Sequence, residues 1–400
     1  MRKFYLYIWA LILASPLLAG CAREPMLYLH QEGKDATLDL PNIDVELKAI
    51  WDYKLEYDVV YDWQAAWKYK WDATDVELFG KLGYNEPEAF EIRRYFTGDT
   101  PNGPHSAPYK HTIYGKDLTA NYEFGYWDIL AWNYIDTPDG IQSVRIDESS
   151  SYNEVVAHTG ETMMAAPHYS TRFTRSFYQP EEIFAGYEKA IEINKQLDGF
   201  TFDADRNCWV KKLDMVLQPM TYIYLLQVIL HHNNRNGRII TAIDGNANLS
   251  GMARSVTLNT GVTGSDAITV NFNMRMKKDL DVDGEKVDII GGKVLTFGIP
   301  KINPSRLDTR AYTESLKEVR AADLNNRHYF DVTMQFNNGK DSTFVFDVTS
   351  QVRKLFRGGV ITVELDMDTI PIPNRTGGSG FDAVVKEKRE RGYGDCIGKK

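Results

Sequence analysis

Cysteine is scarce in this chain. Its 400 residues carry three, Cys21, Cys208 and Cys396. That count excludes a disulfide scaffold and leaves open only whether Cys208 and Cys396 pair in an oxidising space or stay reduced. Long apolar runs are lacking as well. The run at 4–18 spans 15 residues, short of the roughly 20 that cross a bilayer, and nothing after it reads as transmembrane. Basic excess is absent: the formal charge is −9. This argues against nucleic acid as a partner and against electrostatic adhesion to anionic lipid. No nucleophile elbow, His-Glu-x-x-His or phosphate-binding loop occurs, and a glycosidase carboxylate pair is set by the fold rather than by spacing. No enzyme, no cofactor and no bound metal are therefore expected.

What is present begins with an export signal. Arg2 and Lys3 precede the apolar run, which exits through Leu18-Ala19-Gly20-Cys21. A basic start, a short apolar stretch and a small-residue exit are the parts of a secretory signal, and the exit resembles the bacterial lipobox. That resemblance implies removal of residues 1–20, diacylglycerol on the Cys21 thiol and a further acyl chain on its freed amine. Each buried methylene adds about 0.8 kcal/mol, so two or three chains anchor stably. The expected partner at this end is a membrane, reached through lipid on Cys21. Loss of Arg2 and Lys3 takes the charge from −9 to −11, which favours solubility of the tethered body.

Length suggests two or so domains, each with its own core, and 23 Tyr, 18 Phe and 8 Trp suit sheets. Residues 22–40 are polar, lack a period and read as a spacer. From 43 to 71 every odd position is apolar, and the even ones are charged or polar except Ile50, Val60 and Ala66. Strict alternation specifies a strand with one buried face. Unbroken, it would run roughly 95 Å, far beyond ordinary strands. A bend, bulge or turn must cut it, or it projects as a ribbon; no Gly, Pro or Asn marks the place.

A short helix is expected over 72–84, with Val76, Leu78, Phe79 and Leu82 on one side. Strands follow at 89–97, 110–126, 127–135 and 141–147, with a turn at Asp136-Thr-Pro-Asp-Gly140. At 180–196 the period changes. Pro180 suits a first helical position, Glu181 and Glu182 a first turn, and Ile183, Phe184, Tyr187 and Ile191 share a face. The pattern predicts one amphipathic helix, ended by Asp198-Gly199.

Strands resume at 213–229, 238–243, 252–258, 267–276 and 287–297. Asn337-Asn338-Gly339 separates strands at 331–336 and 343–348, a strong hairpin signal of the I′ type. A last strand covers 360–365, and 313–322 is helix-like. Many short strands with a helical excursion indicate a mostly β fold of two β-sandwich domains with one or two short helices. The expected division is a signal at 1–20, a spacer at 21–40, sandwiches at 41–200 and 201–376, and a flexible charged tail at 377–400. The boundary is placed near Asp198–Asn207.

Four segments resemble the fimbrillin superfamily of anaerobic Gram-negative bacteria, and more narrowly a lipoprotein branch that contains a domain of unknown function. They are Gln179-Pro-Glu-Glu-Ile-Phe-Ala-Gly186, Asn248-Leu-Ser-Gly-Met-Ala-Arg-Ser-Val-Thr-Leu258, Phe344-Val-Phe-Asp-Val-Thr-Ser-Gln-Val352, and Val360-Ile-Thr-Val-Glu-Leu365 with Ile370-Pro-Ile-Pro373. The resemblance covers most of the chain and is clearest after residue 170. It implies two transthyretin-like Greek-key sandwiches and a lipid-anchored outer-membrane location at the cell surface. It also implies a role in fimbriae or adhesion as an anchor or accessory subunit. Fimbrial subunits become expected partners, met by strand addition, with affinity from backbone pairing. The aromatic ladder within 51–71 departs from generic fimbrillins.

That ladder carries the alternative reading. Trp63, Trp67, Tyr69 and Trp71 present flat faces suited to a glycan if exposed, and core or inter-domain packing if not. His231 and His232 are adjacent, point to opposite faces on a strand, and read as strand-end residues rather than ligands. Asp279-Leu-Asp-Val-Asp-Gly284 opens like a calcium loop, but its twelfth position is Ile290, where a bidentate Glu is required. A hairpin turn at Asp283-Gly284 is the preferred reading.

Overall fold

The computed structural model describes residues 43–51, 63–115, 117–135, 143–148, 155–162, 175–235, 237–301, 327–373 and 383–386. The Cys21 lipid site, the turn at 136–140, the helix-like stretch at 313–322 and Cys396 lie outside them. The described chain is mostly strand, as the alternation requires, with three short helices. None of these helices is long and apolar enough to cross a membrane.

The first sheet is built from β1 (Ile43–Trp51), β2 (Ala89–Gly98), β3 (Tyr109–Tyr114), β4 (Asp117–Asn121) and β5 (Gly125–Asn133). It also includes β9 (Phe184–Ile193), β10 (Thr201–Asp203) and β11 (Cys208–Pro219). Its path is β3-β2-β5-β9-β11-β1-β4, with β10 beside β11. The sheet turns a corner at β11, whose final residues Gln218 and Pro219 meet β9 while 209–217 pair with β1. Gly186 sits at that corner, where a Cβ would lie 2.6 Å from the Val216 carbonyl oxygen. The corner wraps a core that includes Val45, Leu47, Phe90, Trp127, Phe184 and Leu217. Since β10 and β11 both join this sheet, its chain runs on to Pro219, past the boundary expected near 198–207.

The predicted helix at 180–196 is instead β9. Both faces of this strand are covered, which disguises its period of two. Ile183 and Ala185 face one core while Phe184, Ile191 and Ile193 face another. A bulge opposite Trp127–Ile129, with Ala190 at φ 56°, then shifts the alternation by one. The acidic pair at its start caps no helix. Glu181 accepts from Ser143 N at 2.6 Å and Val144 N at 2.7 Å, and Glu182 from Asn85 N at 2.6 Å.

The second half is a sandwich of two sheets. One is β16 (Arg275–Val282), β17 (Glu285–Thr296), β12 (Tyr222–His231) and β20 (Gly359–Asp366), in that order. The other runs β21 (Ala383–Lys386), β19 (Asp341–Asp347), β18 (Tyr329–Phe336), β13 (Ile240–Ala253), β15 (Ala267–Asn273) and β8 (Ser176–Tyr178). Alternate β12 residues Tyr224, Leu226, Val228 and Leu230 point into the core between them. Helix α3 (Thr349–Lys354) buries Val352 in the same core. The expected Asn337–Gly339 hairpin forms, but only Gly339 has positive φ, so the loop is a three-residue turn rather than type I′. Asp283 and Gly284, at φ 51° and 87°, make the two-residue turn of the I′ kind between β16 and β17. Within the expected tail, β21 pairs in parallel with β19.

The halves exchange strands. From the first half, β8 pairs in parallel with β15. From the second, β14 (Ser255–Thr257) pairs with β7 (Val156–Thr159), which pairs with β6 (Val144–Asp147). This three-stranded sheet covers the outer face of β5 and β9, over Leu130, Trp132 and Ala185.

Candidate functional site

The described part of the aromatic segment, from Trp63 on, is not a strand of the first sheet. After β1 the described chain resumes at α1 (Trp63–Ala66) and an extended stretch, then α2 (Ala73–Phe79). This strap lies on the outer face of the second half's β16-β17-β12-β20 sheet. Alternation survives because Trp67, Tyr69 and Trp71 face that sheet while Lys70 faces solvent. Tyr69 is fully buried, Trp67 nearly so, and Trp63 and Trp71 are half-buried. The rings of Trp67, Tyr69 and Trp71 stand 5.5–6.3 Å apart at tilted angles. A sugar-stacking platform needs coplanar faces open to solvent, and this ladder turns its buried rings to a sheet instead.

The sheet is shaped to receive the strap. Gly291 leaves the space that the Tyr69 ring fills, and a Cβ there would lie 2.3 Å from Tyr69 Cδ2. Gln227, fully buried on β12, accepts from Lys68 N at 2.8 Å and donates to the Ala66 carbonyl at 2.7 Å, as a neighbouring strand would. Asp72 caps α2 through a reciprocal pair with Asp75. The Asp75 carboxylate is fully buried. It accepts from Tyr69 Oη at 2.9 Å and pairs with Lys277 at 2.6 Å and Arg275 at 3.1 Å. Burial, then the bond to Asp75, pushes the Tyr69 hydroxyl pKa far above its ordinary range. The side of α2 expected to be apolar is different: Val76 and Leu78 are exposed, and Phe79 meets Trp71 at 5.8 Å. The helix docks through its carboxylate. Further along, buried Lys293 of β17 donates to the carbonyls of Lys81 at 2.7 Å and Gly83 at 3.1 Å. None of these anchoring residues was singled out from sequence, though Gly291-Gly292 inside an apolar run marks a close approach.

The second candidate feature is the slot that holds β1. This strand lies between β11, parallel over 43–51, and β4, antiparallel over 44–48. Val45 and Leu47 are fully buried from it. Cys208 sits at the slot's end, buried, with its thiol 3.5 Å from the Asp44 carboxylate. Burial and that carboxylate push the thiol pKa up, which keeps it unreactive. A dyad-like pair, His105 and Asp128 at 2.7 Å, serves structure. The second oxygen of Asp128 accepts from Ala190 N at 2.7 Å and so pins the β9 bulge.

No protein-family model and no curated protein matches the chain. Solved structures are similar to it over most of its length. A candidate adhesin from Bacteroides ovatus is 15% identical, covers 84% of this chain and 97% of its own, and has a TM-score of 0.44. A fimbrial anchor protein from Porphyromonas gingivalis is 11% identical, with coverages of 81% and 90% and a TM-score of 0.39. A fimbrial assembly protein from Parabacteroides distasonis is 10% identical, with coverages of 82% and 92% and a TM-score of 0.31.

Proposed function

We propose that this chain is a lipid-anchored cell-surface protein of fimbria-associated adhesion. In this reading it is an anchor or accessory subunit whose strand slot is shut by its own first strand. The support is the position of β1. A parallel strand sits between β11 and β4, and its burial of Val45 and Leu47 completes the first core. Without it, β11 and β4 would expose unpaired backbone along an apolar groove, which is the geometry that accepts a donated strand. With it, the groove is filled in cis. The chain then caps an assembly at this slot rather than taking a further subunit into it.

The motif at Cys21 lies just upstream. Fully extended, the stretch from Cys21 to Ile43 reaches at most about 75 Å, enough to hold the body clear of a membrane. The role is structural, since the polar groups nearest the strap and the slot serve to hold segments together.

The test is intact mass of the native protein, joined to crosslinking in its own cells. Acyl mass on Cys21 and recovery of fimbrial subunits are expected. An unmodified Cys21, or crosslinks that recover no fimbrial subunit, would end the proposal.

A further inference from the structure

One cluster belongs neither to the strap nor to the slot. At the far end of the four-stranded sheet, β12 ends at His231 and the chain turns at His232, which has φ 59°. The neighbouring β20 ends at Asp366, so His232 comes to lie against the turn that follows it. His232 Nδ1 is 2.8 Å from Asp366 Oδ1 and 3.2 Å from Asp368 Oδ2. The three donor atoms lie within 4.8 Å of one another. Because the strand stops at His231, the two imidazoles are no longer held on opposite faces. His231 Nδ1 bonds Glu285 Oε2 at 2.9 Å, and His232 Nε2 faces Glu285 Oε1 at 3.6 Å.

We infer that His232 Nδ1, Asp366 and Asp368 form a site for a divalent first-row transition metal, zinc first, with Glu285 holding the far side of the imidazole.

Several observations carry this. Zinc at about 2.1 Å from N and O donors sets tetrahedral ligands about 3.4 Å apart. The Nδ1 contacts to the two carboxylates, at 2.8 and 3.2 Å, need open by about 0.6 and 0.2 Å to match. An imidazole donor selects zinc-class ions over calcium, which takes oxygen ligands. The independent observation is on the other side of the ring. Glu285 Oε1 is shielded from solvent and has no hydrogen-bond donor. With a metal on Nδ1, an Nε2–H directed at Glu285 Oε1 completes the carboxylate–histidine–metal arrangement that fixes a ligating ring. Among the described residues, three carboxylates meet one permanent cation here: Arg235, on Asp368 Oδ2 at 3.0 Å. Arg235 is well exposed and free to swing aside, leaving excess negative charge to meet a dication.

The experiment is calorimetric titration of the purified full chain, without affinity histidines, with zinc chloride and separately with calcium chloride. We expect one zinc per chain at this site and no calcium heat. His232→Gln and Asp366→Asn should each weaken zinc by more than tenfold, and Glu285→Gln by about 10–100-fold, the usual range for an outer-shell partner. Circular dichroism checks that each variant folds; a variant that fails is replaced by Asp368→Asn, at a half-exposed side chain. A second measurement needs no variant: zinc should protect His232 from diethyl pyrocarbonate, read by peptide mass. No zinc uptake by the wild type, unchanged uptake in the folded variants, or an unprotected His232 would each overturn the assignment.

Discussion

Gly291→Ala separates a strap that is keyed into its sheet from one that merely lies on it. Gly291 has an ordinary strand backbone, so adding a methyl should by itself stabilise the protein by about 0.4–1 kcal/mol, by stiffening the unfolded chain. In the folded protein that methyl would lie 2.3 Å from Tyr69 Cδ2 and 2.4 Å from Cγ. The ring cannot simply slide. Its hydroxyl is held by buried Asp75 at 2.9 Å, and Trp67 and Trp71 flank it. Overpacking of this kind costs about 1–3 kcal/mol, so we expect the sign to reverse, with a net loss of about 1–2 kcal/mol.

Urea unfolding measures this directly, with Gly245→Ala as the control. Gly245 lies on β13 with nothing within 4 Å of its added Cβ, and its substitution should stabilise by about 0.4–1 kcal/mol. Tyr69→Ala alone should cost about 3–5 kcal/mol. Combined with Gly291→Ala it should cost less than the two losses together, by about 0.5–3 kcal/mol. If Gly291→Ala raised stability as Gly245→Ala does, the keyed packing would be refuted.

Other expectations follow from buried polar groups. Asp75→Asn should destabilise by about 1–3 kcal/mol and release the strap to proteolysis within 63–84; equal protection from protease would count against the carboxylate as its latch. His328 is buried beneath α3, and burial, with the Arg353 charge, holds its pKa down at about 4 from 6.5. Above pH 6.5 neither the folded nor the unfolded chain binds the proton. As pH falls toward 4 only the unfolded chain takes it up, so stability drops by about 3 kcal/mol across that window and no further below it. His328→Gln should flatten this slope in urea midpoints measured across the same window, and an unchanged slope would refute the role.

Much of the second half was legible because each strand shows a clear apolar run and the turns carry their own chemistry, as at Asp283-Gly284. The first half misled in two places for related reasons. Among the described residues over 43–71, the buried odd ones face two different apolar surfaces. Val45 and Leu47 fill the first core, whereas Trp67, Tyr69 and Trp71 meet a sheet built from residues more than 150 positions later. Period alone says that a segment has a buried side, and not which surface buries it. At 180–196 the strand has two buried sides and a bulge, so its apolar residues take helical spacing by coincidence. The His232 cluster was invisible because a strand-end residue with positive φ breaks the opposite-faces rule applied to His231 and His232. The anchors Gln227, Asp75 and Lys293 are polar residues buried by distant contacts, which local sequence does not encode.

The crossed strands also bear on how the molecule is made. Synthesis delivers the N-terminal half first, yet β7 gains its second neighbour and β8 its parallel partner only once 255–257 and 269–271 have arrived. Until then that half carries unmatched edges, and contacts of such long sequence separation form slowly. Two nascent copies held close together on one surface would offer each other those same partners. Reciprocal exchange of β8 between them is thus the characteristic error this architecture invites, and a paired, fully bonded dimer would be its product.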